Sequence, residues 1–267
     1  MKGAVIGDVV GSAYEFNNIA TKEFPLFSWQ STFTDDTVMS CAVAKALTDC
    51  RGNYDTLTED KIAATLQEVG RRYPNCGYGR RFIQWMFSDN PQPYNSCGNG
   101  SAMRVSAVGF LAENEVEVKL LSERITAVTH NHPEGLKGAE CTAMCIFLAR
   151  QGKSKEELRN YVEDYYYHLC KTCEDYRIEQ AGHHGKEICQ ISVPQALECF
   201  FESIDFEDCI RNCISIGGDS DTIAAIAGGI AEAYYGIPED LWQVCRRFLP
   251  ADLDKIITDF EAELLNR

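Results

Sequence analysis

Two short clusters offer oxygen ligands without a cation to balance them. Phe33-Thr34-Asp35-Asp36-Thr37-Val38-Met39 and Gly217-Gly218-Asp219-Ser220-Asp221-Thr222 each place two carboxylates beside hydroxyl residues, at the head of an apolar run. Neither contains Lys or Arg. Asp and Thr before a helix ordinarily cap it, and the helix dipole favours carboxylates there. Finding the pattern twice favours a second use. If both clusters lie at one site, four negative charges meet, and coordinating a cation is one of the few ways to hold them together. Every donor offered is oxygen, so the ion should be hard: magnesium, manganese or calcium rather than zinc.

Three further segments carry chemistry. Gly98-Asn99-Gly100-Ser101-Ala102-Met103-Arg104 ends a loop rich in Pro, Asn, Ser and Gly and leads into an apolar run. Glycines before a helix can present N–H groups to a phosphate, although a tight turn is the commoner explanation. His130-Asn131-His132 offers two imidazoles for a metal or, more simply, one that reaches a ligand. Cys170-x-x-Cys173 with His183, His184 and Cys189 loosely has the make-up of a zinc site. Cys-x-x-Cys also arises by chance in a chain with 13 cysteines, and Cys170 completes a helical face.

The elements that would position these groups are helical. Gly3 to Glu15 reads as a helix with Gly7 and Gly11 four apart, a spacing that admits a close neighbour. Asp8 and Glu15 would project from nearly the same side. Thr34 to Asp49 carries Met39, Ala42, Val43, Ala46 and Leu47 at helical spacing. Further helices are expected over 58–73, 80–87, 122–129 and 135–151, after a Ser154–Glu157 capping box, from Ser192 with Pro194, and from Asp205 with Asp208. Glu174 to Lys186 reads as an exposed, irregular loop. The second acidic cluster opens a helix ending at Tyr235-Gly236, and 241–249 and 253–265 close the chain. No strand alternation and no repeat appears, so the expected fold is a compact all-α domain over residues 1–267.

Composition narrows the function classes. At 267 residues, 45% apolar and 24% charged, the chain can bury a sizeable core. A formal charge of -15 argues against direct nucleic-acid binding or adsorption to an anionic membrane. No stretch approaches the ~20 apolar residues of a membrane span, and Asp8 interrupts the apolar run after Lys2, so no signal peptide is expected. Thirteen cysteines in apolar runs suggest reduced thiols and a cytoplasmic protein.

Four segments together resemble one family, the ADP-ribosylglycohydrolases, which include the dinitrogenase-reductase-activating glycohydrolases. They are Gly7-Asp8-Val9-Val10-Gly11 with Glu15, the Thr34–Thr37 cluster, Gly98 to Arg104, and Gly217 to Thr222. The resemblance implies a compact, single-domain all-α fold with two divalent cations, Mg2+ or Mn2+, at the base of a cleft. By that resemblance, Thr34, Asp35, Asp36, Asp219, Asp221 and Thr222 would be the metal ligands. Gly98, Asn99, Gly100 and Ser101, with His130, would hold the substrate. Glu15, Asp35 and Asp36 would be the catalytic carboxylates. The expected substrate is an ADP-ribosylated protein or a small ADP-ribosyl conjugate, cleaved at its glycosidic bond to release ADP-ribose. The rival expectation is a catalytically idle ADP-ribose-binding or structural protein on the same scaffold. A metal-dependent phosphoesterase is a third.

Overall fold

The computed structural model describes residues 1–180 and 186–266. Among the described residues there are fourteen α-helices and no strand. In order they are α1 (Lys2–Gly11), α2 (Asp35–Asp49), α3 (Glu59–Gly70), α4 (Arg80–Met86), α5 (Ser106–Leu111), α6 (Glu115–Ala127) and α7 (Pro133–Arg150). Then come α8 (Lys155–Tyr165), α9 (Cys173–Gln180), α10 (Cys189–Glu202), α11 (Phe206–Ser215), α12 (Ser220–Tyr235), α13 (Glu239–Cys245) and α14 (Ala251–Leu265). The all-α expectation is met. No helix among the described residues is long and apolar enough to cross a membrane.

The centre of the molecule is the pair α1 and α12, from opposite ends of the chain. Both are buried almost along their whole length. Their backbones touch because small residues line the contact. A Cβ on Gly7 would stand 2.1 Å from the carbonyl oxygen of Ala224, and one on Gly11 would stand 2.3 Å from the Cα of Asp221. Backbone cannot yield there as a flexible side chain would. Gly7→Ala should therefore destabilise the protein by about 3 kcal/mol or more, read from urea unfolding. A loss within about 0.5 kcal/mol would show that the helices can slide apart.

Helix ends follow local rules. Thr34, Thr58, Ser154 and Asp205 each accept a backbone N–H at the start of a helix, and Ser154 with Glu157 forms the expected capping box. Gly236 closes α12 at φ 77°, a conformation open to glycine. Several expected boundaries are wrong. The first helix stops at Gly11, four residues before Glu15, so Asp8 and Glu15 do not share a helical face. The helix expected at 122–129 begins at Glu115, because Asn114 caps it through Glu117 N. The helix expected from Ser192 begins at Cys189, with Pro194 inside it. Part of the expected loop from Glu174 to Lys186 is α9, whose start is favoured by Glu174 and Asp175 in its first turn.

All thirteen cysteines are free, and ten are buried. The zinc grouping is not assembled among the described residues. Cys170 is exposed, Cys173 packs 3.8 Å from the Cys199 sulfur, and Cys189 is buried beside Ser101. His183 and His184 lie outside the described residues.

Candidate active site and metal centre

The first acidic cluster is held from beneath by a residue of α1. Asp8 is fully buried and accepts from Thr34 N at 2.9 Å, Thr34 Oγ1 at 2.7 Å and Thr37 N at 2.9 Å. It thus caps a helix to which it does not belong, and fixes Asp35 and Asp36 in the first turn of α2. Burial pushes the Asp8 carboxyl above its ordinary range, against the pull of those threonine hydrogen bonds. Thr34 Oγ1 spends its proton on Asp8 and accepts weakly from Asp36 N, which leaves it one lone pair for a ligand.

The second cluster is set by two glycines at positive φ, Gly217 at 72° and Gly218 at 78°. This is backbone that other residues adopt only with strain. One side chain, Asn18, locks that turn. It accepts from Gly218 N at 3.0 Å and donates to Gly218 O at 3.0 Å, while also donating to Tyr14 O and Glu15 O. Asn18 therefore ties the segment carrying Glu15 to the segment carrying Asp219 and Asp221.

The two clusters meet. Thr222 Oγ1 donates to Asp36 Oδ2 at 3.1 Å across 186 positions of sequence. Glu15, Asp219 and Asp221 each present a carboxylate oxygen within 4.8 Å of the others. Asp219 Oδ2 accepts from Asn99 Nδ2 at 2.5 Å, and the same amide donates to Ser192 at 2.8 Å. Asp35 lies beside Gly77, where a Cβ would stand 3.2 Å from its Oδ1. Among the described residues, no Lys or Arg pairs with Asp35, Asp36, Asp219 or Asp221. Burial first, and then the neighbouring carboxylates, hold Asp35, Asp36 and Asp221 well above the usual range.

Asp36 Oδ1 is buried and has no hydrogen-bond partner. A buried carboxylate oxygen left bare is costly, and a divalent cation would satisfy it. The acidic triad is an all-oxygen donor set that could hold a hard metal ion, and the bare Asp36 oxygen is a further oxygen donor lining the same cleft. The structure places Glu15, expected as a catalytic carboxylate, beside Asp219 and Asp221 in this acidic triad.

Above this floor opens a cleft of about 320 Å³. One wall carries Tyr94, Gly98, Asn99, Gly100 and His130; another carries Arg80, Arg81 and Phe82. Arg81 donates to Tyr94 O and lies 4.8 Å over the Tyr94 ring, so the two walls are joined at the rim. His130 is buried, and a Cβ at Gly98 or Gly100 would come within 3.4 Å of its Nε2. Ser101, expected to bind substrate, is turned into the protein. Its hydroxyl lies 2.9 Å from Gly135 O, 3.1 Å from Gly98 O and 3.1 Å from the Cys189 sulfur, so it shapes the loop from behind. The two histidines separate in role, since His132 caps α7 by accepting from Glu134 N.

A model described as ADP-ribosylglycohydrolase matches residues 1–266. This chain belongs to the ADP-ribosylglycohydrolase family. As a member it is an enzyme, a hydrolase acting on glycosyl bonds. The human ADP-ribosylhydrolase ARH3 is 26% identical, over 95% of this chain and 90% of its own length. The ADP-ribosyl-[dinitrogen reductase] glycohydrolase of Rhodospirillum rubrum is 27% identical, over 89% of this chain and 84% of its own. The ADP-ribosylarginine hydrolase Tri1 of Pseudomonas putida (strain GB-1) is 26% identical, over 88% and 69%. A solved structure titled ADP-ribosylglycohydrolase-related protein complex superposes with a TM-score of 0.70 at 24% identity, covering 98% of this chain and 96% of that one. The ADP-ribosylglycohydrolase fold therefore extends over the described chain.

The positioning roles of Asp8 and Asn18 are visible only in the folded chain. For Asp8 the available signal was a lone carboxylate inside the run Ala4-Val5-Ile6-Gly7-Asp8-Val9-Val10. A charge there must be satisfied by something distant. Asn18 gave no local signal, because its partner is the backbone of Gly218.

Proposed function

We propose that this protein is a divalent-metal-dependent ADP-ribosylglycohydrolase that releases ADP-ribose from a modified protein side chain or a small ADP-ribosyl conjugate. The observation that carries this reading is the bare Asp36 oxygen within a buried, cation-free carboxylate floor, open to a cleft with a glycine loop on its wall. Glu15, Asp219 and Asp221, with Asp35, Asp36, Thr34 and Thr222, would hold the metal, Mg2+ or Mn2+, as two ions. When bound, such ions supply Lewis acidity toward the ribose hydroxyls and a water.

The chain's own residues supply the rest. Backbone around Gly98 to Gly100 and the His130 ring receive the diphosphate, which fixes the sugar above the floor. Departure of the aglycone leaves positive charge on the anomeric carbon, and the carboxylates beneath stabilise it. Asp35 or Asp36, both raised by burial first and then by neighbouring carboxylates, takes the proton of the water that attacks the anomeric carbon, and a proton is returned to the departing group as the glycosidic bond breaks. The thirteen free thiols support a reducing, cytoplasmic compartment.

The test is release of ADP-ribose from ADP-ribosyl-arginine, ADP-ribosyl-serine and O-acetyl-ADP-ribose, each with Mg2+, with Mn2+ and with chelator. At least one substrate should turn over, and chelator should lower that rate by about a hundredfold or more. Turnover undiminished by chelator removes the metal. No cleavage of any substrate leaves the idle binder, and cleavage at the diphosphate instead of the glycosidic bond leaves the phosphoesterase.

A further inference from the structure

Arg104 is a large side chain with a relative exposure of 1%, and it borders the cleft. No carboxylate among the described residues lies within ion-pair distance of it, and its Nε is without a hydrogen-bond partner. Its Nη2 donates to Thr129 Oγ1 at 2.7 Å and, weakly, to Ile125 O at 3.4 Å. Thr129 is itself fully buried, and its Oγ1 lies 2.7 Å from His130 Nδ1.

The order of donation follows from what each group can do. A guanidinium only donates, so Arg104 occupies a lone pair of the threonine oxygen. Thr129 then has one proton to give. Its possible acceptors are Thr126 O at 3.5 Å and His130 Nδ1 at 2.7 Å. Hydroxyl hydrogen bonds weaken steeply beyond ~3 Å, so the proton goes to Nδ1. A neutral imidazole that accepts at Nδ1 carries its own proton on Nε2. The ring is neutral here: burial, and then the charges of Arg104 and Arg81, hold it well below the usual histidine range. Nε2 is the nitrogen that borders Gly98 and Gly100.

We propose that Arg104 and Thr129 are positioning residues that lock His130 in its Nε2–H tautomer and aim that donor at an anionic oxygen held on the Gly98–Gly100 loop. The identity of that oxygen, a phosphate oxygen of the ADP-ribosyl diphosphate, rests on the function proposed above; the tautomer does not. The reverse arrangement, with Nδ1–H donating to Thr129 and Thr129 donating to Thr126, would present a bare nitrogen to an anion and repel it.

The nitrogen spectrum of the ligand-free protein decides between the two. The expected result is a His130 Nδ1 signal of the unprotonated type and an Nε2 signal of the protonated type. Thr129→Val should mix the tautomers and weaken ADP-ribose binding about tenfold in calorimetric titration with Mg2+, raising KM more than it lowers kcat. Thr129→Ser keeps the hydroxyl and should restore both readouts, which a purely packing role would not predict. A protonated Nδ1 in the wild-type protein overturns the relay, as does a folded Thr129→Val protein with wild-type affinity. If wild-type protein takes up no ADP-ribose, the functional reading fails, while the spectrum still rules for or against the relay.

Discussion

Asp219→Ala should lower turnover by about a thousandfold or more while leaving the helical content unchanged. Asp219 stands at the start of α12, where an aspartate would ordinarily cap the helix, yet its side chain makes no capping hydrogen bond. It instead joins Glu15 and Asp221 in the oxygen triad and accepts from Asn99. Losing it therefore costs the helix little and the site a ligand. Residues one shell beyond a metal typically cost 10–100-fold when removed, so a ligand should cost more. Asp205 provides the contrast. Its carboxylate does cap α11, through Asp208 N at 2.7 Å. Asp205→Ala should cost about 1 kcal/mol of stability and no activity. Product release and calorimetric titration with Mg2+ and Mn2+ read both. An Asp219→Ala enzyme at wild-type rate would remove this residue from the mechanism.

Chelated protein should become more stable on mild acidification, the opposite of the usual trend. Burial holds the folded-state pKa values of Asp8, Asp35, Asp36 and Asp221 above the ordinary aspartate range. A group whose pKa rises on folding adds stability that is fully present below its unfolded pKa and lost as pH climbs through its folded pKa. The metal-free floor is therefore least stable near neutrality, where its carboxylates are charged together. His130 works the other way, because its lowered pKa costs stability as pH falls below about 6.5. Asp35, Asp36 and Asp221 are all held well above the ordinary range, so the expected sign follows the carboxyls. Each unit of net shift is worth about 1.4 kcal/mol, or roughly 3–5 °C in Tm for a chain of this size. Saturating Mg2+ or Mn2+ at pH 7 should raise Tm instead, by about 2.7 kcal/mol of linkage at a hundred times Kd. Acid should then erode that gain as protons displace the ion. Scanning calorimetry from pH 7 to pH 5, with chelator and with metal, should give slopes of opposite sign. Parallel slopes would mean that these carboxylates take up no ion.

Much of the fold is written locally. Thr34, Thr58, Ser154 and Asp205 mark helix starts by chemistry that acts within four residues, and the structure has caps at each. Gly236 marks a stop for the same reason. The convergence of the Asp35 and Asp219 clusters is legible as a charge argument, because isolated carboxylates without cations demand each other's company around an ion, and through the family resemblance. What could not be read depends on partners far along the chain. Asp8 is explained by Thr34 and Thr37, Asn18 by Gly218, and Arg104 by Thr129. The misplaced end of α1 has the same origin. The stretch after Gly11 continues a helical pattern, but its backbone is recruited by Asn18 through Tyr14 and Glu15. Ser192 with Pro194 reads as a start because proline favours first turns, whereas α10 begins at Cys189, three residues before Ser192.

The contact between α1 and α12 has a consequence for how the molecule is made. Helix α1 is buried along almost its whole length, and its seat is a helix made more than two hundred residues later. At 5–20 residues per second, roughly 10–45 seconds pass before α12 is synthesised. Through that interval α1 must be shielded by transient partners or a chaperone. Nascent chains stalled before Ser220 should therefore be protease-sensitive and adhesive, while those extended past Tyr235 should not.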